Sequence, residues 1–461
     1  MTERIPTRNI PIEASGNIHT RRFTGFYRNL RLYGAGVLML FFFGTAWLNW
    51  QGRQAVLWDL ADRKFYIFGA TIWPQDLFLL AALLMIGAFG LFTLSVFAGR
   101  VWCGYACPQS VWTWMFMWVE QITEGDRNQR IKLDAQPWSA AKLARRSAKH
   151  SLWLCISLAT GLTFIGYFTP IRPLVSQLLH LTLDLETAAW VGFFGLCTYM
   201  NAGWLREKVC RDMCPYSNLQ SVMFDADTLI ITYDTTRGES RGARRKDEDP
   251  KALGLGDCID CTLCVQVCPT GIDIRDGLQL ECISCGACID ACDSVMDKMG
   301  YERGLVRYSS EREMTVGKTH WLRPKMVAQV ALLSLLSIGF VVAFLNRPLV
   351  ALDVYKDRGL YRENSEGQIE NIYSLKVINK TQSPHRYAVS LHDDDGRFAL
   401  QGARDLELQP GEIQVLPVSV VLLGKLEHGS STSLRFEVRD LEDDDIRITT
   451  KSRFVAPAGS L

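Results

Sequence analysis

Apolar residues along this chain follow two different rhythms. Up to residue 346 they gather in unbroken runs. Five stretches, 33–50, 77–99, 151–171, 187–204 and 326–346, contain no Asp, Glu, Lys or Arg. Each approaches the roughly 20 apolar residues that carry a helix across a bilayer, so the pattern predicts five transmembrane spans. The fourth, TAAWVGFFGLCTYMNAGW, is the most dilute, because Thr187, Thr198 and Asn201 interrupt it. From 347 the rhythm shortens to alternating or β-branched runs: YSLKVIN, HRYAVSL, LELQP, IQVLPVSVVLL, STSLRFEVRD and IRITTKSRF. Asp-Gly at 395–396 and Pro-Gly at 410–411 mark turns between them. About seven strands in about 110 residues predict a small antiparallel sandwich of immunoglobulin type. The expected fold class is a multi-domain membrane protein, with an α-helical bundle of five spans and a C-terminal all-β sandwich over 347–461. Residues 205–325 lie between the fourth and fifth spans.

Charge orients this plan. Basic residues favour the cytoplasmic side of short loops. The arm 1–32 carries Arg4, Arg8, Arg21, Arg22, Arg28 and Arg31, and loop 100–150 carries Arg100, Arg127, Arg130, Lys132, Lys142, Arg145, Arg146 and Lys149. Loop 172–186 has only Arg172, and in loop 51–76 Arg53, Arg63 and Lys64 are balanced by Asp59, Asp62 and Asp76. The alternation predicts the N-terminus and 205–325 inside and 347–461 outside. The first span follows a polar arm with no cleavage-like site and reads as a retained anchor. Trp47, Trp50, Trp58 and Trp73 fall where an outer interfacial belt is expected. With 50 Lys+Arg against 49 Asp+Glu, the chain lacks the basic bias of a nucleic-acid binder.

Cysteine placement brings in chemistry. Fourteen cysteines all precede residue 293, and the predicted outer domain has none. Structural disulfides would concentrate on the oxidising side, so these thiols are expected to bind metal. Cys258, Cys261, Cys264 and Cys268-Pro269 form one C-x2-C-x2-C-x3-C run, and Cys282, Cys285, Cys288 and Cys292 form a second. This is the spacing of a bacterial two-cluster ferredoxin, in which the fourth cysteine of each run reaches the other cubane. It assigns Cys258, Cys261, Cys264 and Cys292 to one [4Fe–4S] cluster and Cys282, Cys285, Cys288 and Cys268 to the other, in an α+β ferredoxin domain at about 250–300. Structural zinc uses paired knuckles, not this triplet beat. Asp293 stands where the second run would ordinarily carry proline. Residues 294–325 read as a basic connector to the fifth span.

A second set repeats elsewhere. AGRVWCGYACPQS follows the second span and LREKVCRDMCPYSNLQS the fourth. Both read basic residue, Val, C-x3-C-P, and on this topology both lie at the cytoplasmic surface, where Cys103, Cys107, Cys210 and Cys214 are expected to converge. At i and i+4 on a helix the two thiols of each pair would share a face. Packing, a soft-metal site for Cu(I) or a further cluster, and a redox dithiol all remain open. Met115, Met117, Met200, Met213 and Met223 lie near enough in sequence to serve copper, though methionine at such positions is more often membrane packing, and the isolated Cys155 and Cys197 read as packing. The histidines, His150, His180 and His320 among them, offer no facing pair for haem. The outer domain shows no catalytic grouping. No dinucleotide fingerprint, P-loop or c-haem attachment motif appears, so the electron donor is unnamed.

These parts together resemble the FixG/CcoG (RdxA) family of cytochrome c oxidase accessory proteins. The paired C-x3-C-P motifs, the stretch PTGIDIRDGLQLECI within the cysteine runs, five spans and the immunoglobulin-like tail carry the resemblance over nearly the whole chain. It implies a multi-pass protein of the bacterial inner membrane with a periplasmic C-terminal domain. It also implies a role in biogenesis of the cbb3-type oxidase, reducing Cu(II) to Cu(I), with oxidase subunits or copper-delivery proteins as partners. The eight cluster cysteines match the family's ferredoxin motif, and Cys103, Cys107, Cys210 and Cys214 match its membrane cysteines. Two alternatives stand beside the cupric reductase: a polyferredoxin-type subunit that oxidises quinol or ferredoxin for another reductase, and a non-catalytic assembly scaffold.

Overall fold

A computed structural model describes residues 18–250, 252–393, 396–424 and 431–457. Residues 1–17 of the N-terminal arm and Asp395 of the expected Asp-Gly turn lie outside them. The chain divides into two compact units, one of residues 1–49 and 82–338, the other of 50–81 and 339–461.

The helices run α1 Phe26–Gly44, α2 Leu77–Ala98, α3 Val101–Tyr105, α4 Pro108–Thr123, α5 Arg127–Ala135, α6 Ala140–Ile165, α7 Ile171–Leu179, α8 Leu185–Thr198 and α9 Pro215–Met223. Then follow α10 Thr235–Gly238, α11 Leu263–Gln266, α12 Ala287–Met299, α13 Glu311–Val316 and α14 Pro324–Leu345. Among the described residues, four helical stretches are long and apolar enough to cross a membrane: Phe26–Trp47, Pro74–Ala98, Ala140–Ile165 and Pro324–Leu345. The expected fourth span, 187–204, is not a fifth helix of that kind. Its α-helix stops at Thr198 and continues as a π-helix over Tyr199–Leu205. The wider π turn breaks the regular i to i−4 pattern. Gln109 Nε2 meets the carbonyls there, donating to Asn201 O at 2.9 Å and Arg206 O at 3.2 Å. Thr198 and Asn201, two of the residues that diluted the apolar run, therefore mark an irregular turn with its own side-chain partner.

Part of the basic loop 100–150 is structural. Glu120 on α4 accepts from Arg130 at 2.8 Å and from Arg206. Glu124 pairs with Lys149 at 3.0 Å and Arg146 at 3.2 Å. Arg130, Lys149 and both glutamates are buried, so these pairs hold α4, α5 and α6 together where unpaired charge would be costly.

In the second unit the expected sandwich forms. One sheet orders Phe398–Gly402, Ile413–Leu422, Ile369–Asn379 and Val350–Lys356, and the other Asp405–Leu408, His385–His392, Ser431–Asp440 and Arg447–Val455. Burial alternates along Ile369–Asn379, as period two requires when one face meets the opposite sheet. Tyr373, Leu375, Val377, Tyr387, Phe436 and Phe454 are fully buried between the sheets. Tyr373 Oη donates to Arg453 O at 2.8 Å, and Asn371 Nδ2 to Val455 O at 2.8 Å. These bonds tie the sheets together where no disulfide does.

The segment 50–76 differs from its expectation as a plain loop. It folds as a meander of Val56–Asp59, Lys64–Ile67 and Ala70–Ile72. Trp73, placed by sequence in an interfacial belt, is 2% exposed and packs on Ala351 and Ile378. Lys380 Nζ meets Asp76 Oδ1 at 2.9 Å, both side chains being buried. Gln382 Nε2 donates to Thr71 Oγ1 at 2.8 Å and its Oε1 accepts from Arg53 at 3.0 Å. Removing one partner of a buried pair leaves the other charge uncompensated, at about 3–5 kcal/mol. Lys380→Met should therefore accelerate amide exchange along Ile369–Asn379, and Asp76→Leu in the same chain should restore most of the protection. Equal protection in K380M and the parent would contradict this role.

Candidate electron-transfer site

The cysteine runs lie inside a frame that the sequence placed too narrowly. Ile230–Tyr233 pairs antiparallel with Val306–Ser309, Ile230 opposite Ser309 and Tyr233 opposite Val306. The expected connector 294–325 thus supplies the end of α12 and the closing strand. Within this frame the two runs share one backbone design. The residue before the second cysteine is left-handed in each, Asp260 at φ 51° and Ser284 at φ 51°. So is the residue after it, Thr262 at φ 56° and Gly286 at φ 73°. Such turns curl successive N–H groups inward and form anion-binding concavities. That suits a thiolate-ligated cluster of net negative charge. For a β-branched threonine the left-handed region is uncommon, and its use here at the equivalent of a glycine shows how strictly the loop is shaped. After the first run Pro269 keeps the chain out of helix. After the second, Asp293 permits α12 to continue to Met299, and its carboxylate accepts Gly304 N–H at 3.0 Å. The departure from proline lengthens a helix and does not create a turn.

Two cavities open between these loops. Cys258, Cys261, Cys264 and Cys292 line one of about 380 Å³. Cys268, Cys282, Cys285 and Cys288 line another of about 330 Å³, which Cys264 also reaches. Burial pushes the thiols of Cys264, Cys282 and Cys292 up to about 12, and raises Cys268 and Cys288 as well. Thiols so placed ionise only when a metal supplies the compensating charge, so cluster binding and deprotonation are coupled.

The four cysteines beside the spans also lie near one another. The electrostatic surroundings of Cys103 include Cys107, Cys210 and Cys214, and those of Cys210 include Cys107 and Cys214. The local geometry differs from the expected single helix with thiols at i and i+4. Cys103 sits on α3, whereas Cys107 is the extended N-cap of α4 with Pro108 at its first position. Cys210 lies in a π-helical turn, Val209–Met213, and Cys214 is the extended N-cap of α9 before Pro215. Proline drives its predecessor out of the helical region and is favoured at the first helical position. The C-x3-C-P repeat is therefore a turn-break-helix device, used twice. Cys103 Sγ lies 3.4 Å from Gln220 Oε1, and Gln220 Nε2 donates to Ser95 Oγ at 3.2 Å. Among the described residues no three His, Cys, Asp or Glu side chains stand close enough to share a single metal ion.

The two cysteine sites touch. A Cβ on Gly104 would lie 2.7 Å from Ile283 O and 2.9 Å from Cys285 Cα, so the residue after Cys103 packs directly on the loop of the second run. Arg100, buried, donates to Leu280 O in that loop and to Ser217 O in α9. Its charge faces Cys103, Cys282 and Cys210. Tyr308 Oη donates to Ser284 O at 2.5 Å and lies 3.4 Å from Tyr105 Oη. On the opposite flank Asp290 of α12 accepts the Tyr27 and Arg28 N–H groups, at 3.2 and 2.7 Å, capping the N-terminus of α1. Sequence reasoning saw Arg100 only as the basic residue of a repeat. Gly104, Gln220 and Asp290 carried no signal at all.

Fold and site define a membrane protein with an iron–sulfur module of two clusters. Residues 205–311 match the 4Fe–4S dicluster domain, and residues 340–457 match the immunoglobulin-like fold at the C-terminus of FixG. The nitrogen fixation protein FixG of Rhizobium meliloti is 38% identical over 82% of this chain and 79% of its own length. The proteins RdxA and RdxB of Cereibacter sphaeroides are each 38% identical, over 85% and 92% of this chain and 86% and 93% of theirs. The chain belongs to the FixG family.

Two tests follow from this geometry. Burial raises Cys103 to about 12 and Cys210 to about 11, so little thiolate exists near neutrality. In metal-stripped protein, iodoacetamide should modify both slowly at pH 8, with rates climbing about tenfold per pH unit towards those values; a plateau by pH 9, seen by peptide mass spectrometry, would contradict the burial. Gly104→Ala should wedge α3 from the second loop at about 1–3 kcal/mol. The second cluster should then be lost first on exposure to air, as read by electron paramagnetic resonance of the reduced protein.

Proposed function

We propose that this FixG-family iron–sulfur protein reduces Cu(II) to Cu(I) during assembly of a cbb3-type oxidase, at the cytoplasmic face of the bacterial inner membrane. On this reading the C-terminal sandwich lies in the periplasm, where oxidase subunits or copper-delivery proteins would meet it. The observation that carries the proposal is the direct packing of the Cys103 turn on the second cysteine loop. Cys258, Cys261, Cys264 and Cys292 would hold one cluster, and Cys268, Cys282, Cys285 and Cys288 the other. When bound, a [4Fe–4S] cluster supplies one electron at a time. One electron converts Cu(II) to Cu(I), with no proton to move. Cys103, Cys107, Cys210 and Cys214 provide thiol ligands that favour the soft Cu(I) product, and Gln220 holds Cys103 in place. Arg100 places a fixed positive charge between the two thiol sets, favouring thiolate on both sides.

A second reading of the four membrane cysteines rests on their spacing. They share one electrostatic neighbourhood, yet no three are close enough for one ion. A further cluster, larger than an ion, would match that spread, and the copper reading requires the thiols to close inward.

Anaerobic protein reduced with dithionite and then given Cu(II) distinguishes these readings. The cupric reductase predicts one Cu(I), trapped by a chromogenic chelator, per electron lost from the clusters. Cys103→Ser and Cys210→Ser should abolish that transfer while both cluster signals persist. If those variants instead lose iron and sulfide in the amount of one cluster, the second reading holds. Quinol-driven cluster reduction with no response to copper would replace both with an electron-transfer subunit serving another reductase.

A further inference from the structure

A cavity of about 470 Å³, open to solvent, lies between the N-terminal segment, α4 and the end of the first cysteine run, and is lined by Arg21, Arg22, Arg28 and Arg31. Among the described residues no Asp or Glu lines it. The arginines are also poorly compensated. Among the described residues the Arg21 guanidinium donates to the neutral Gln266, at 3.3 Å, and to no carboxylate. The contacts of Arg22 and Arg28 are made by their backbone N–H groups, to Asp126 and Asp290. Arg31 is only 8% exposed, and among the described residues its guanidinium has no hydrogen bond or carboxylate partner. Four arginines around one space with no carboxylate in its lining make a favourable field for a multivalent anion.

The walls say more. Trp114 and Trp118 of α4 face the arginines, and Val267 and Pro269, which flank Cys268, close the cavity. Arg31, Met117 and Pro269 also line the next cavity, which extends to Cys210. An anion here would therefore lie beside a ligand of the second cluster, in a space that shares walls with the one reaching Cys210. We infer that the cavity formed by the N-terminal arginines and α4 binds a phosphate-bearing ligand whose charge is felt by the second cluster. Guanidinium forks match phosphate oxygens in pairs, and the tryptophans offer an apolar surface to whatever carries the phosphate. Two sources share this chemistry: a soluble phosphorylated planar ring and an acidic phospholipid headgroup. The site stands apart from the copper reading and needs only the dicluster domain.

The test uses the full chain with clusters loaded, in nanodiscs. Flavin mononucleotide is the first probe and riboflavin, which lacks the phosphate, its control. Phosphatidylglycerol against phosphatidylcholine nanodiscs is the second pair. For the soluble source, flavin mononucleotide should bind at least tenfold more tightly than riboflavin. Arg22→Gln/Arg28→Gln, which alters side chains with no hydrogen-bond or ion-pair partner among the described residues, should remove that preference with iron and sulfide content unchanged. For the lipid source, the midpoint potential of the second cluster should be lower in phosphatidylglycerol than in phosphatidylcholine, since a nearby negative charge disfavours an added electron. That difference should vanish in R22Q/R28Q, while the first cluster moves less. Arg31→Lys should retain part of either effect and Arg31→Gln should not. The inference is overturned if riboflavin binds as well as flavin mononucleotide and the potential ignores the lipid, or if either preference survives unchanged in R22Q/R28Q. Loss of copper reduction with these preferences intact would count against the function proposed above and leave the anion site standing.

Discussion

Gly104 stands where the two sets of cysteines meet, and it has no side chain because none would fit. The turn that carries Cys103 lies against the carbonyl of Ile283 and the α-carbon of Cys285. Close-packed interiors do not absorb even one added methyl without movement. This approach puts the turn that carries Cys103 in van der Waals contact with the second cysteine loop. The buried Arg100 completes the joint by holding carbonyls from both sides while facing thiols of both sets.

The rest of the first unit can be understood as support for that joint. Asp290 caps the first spanning helix and so fixes the ferredoxin-like part against it. The Glu120 and Glu124 networks hold the helices that carry Cys107 and the π turn before Cys210. Buried ion pairs contribute little net stability relative to apolar packing, yet breaking one is expensive. They suit a place where relative position matters more than total stability. The arginine-lined cavity is the exception, since among the described residues no Asp or Glu lines it.

The second unit follows another logic. With no cysteine, its sandwich depends on alternating burial and on tyrosine and asparagine hydrogen bonds between sheets. The segment 50–76 joins it through Lys380 and Asp76, residues 304 apart in sequence. Long-range pairs of this kind leave no local pattern, which is why Asp76 reads in sequence as one charge among a balanced set and Trp73 as an interfacial anchor.

By itself the sequence determined what depends on spacing and period. Unbroken apolar runs gave the long helices, alternation gave the sandwich, and the triplet beat of Cys258–Cys268 and Cys282–Cys292 gave the dicluster chemistry, because covalent geometry allows few ways for such thiols to surround a cubane. It also displayed the repeated C-x3-C-P, whose proline dictates a break in the helix. Only the tertiary structure decided how Arg100, Gly104 and Gln220 bring Cys103 to the second loop, how Val306–Ser309 closes on Ile230–Tyr233, and where unpaired arginines collect. Those outcomes depend on which surfaces bury one another, and burial is a property of the folded whole that no short window of residues contains.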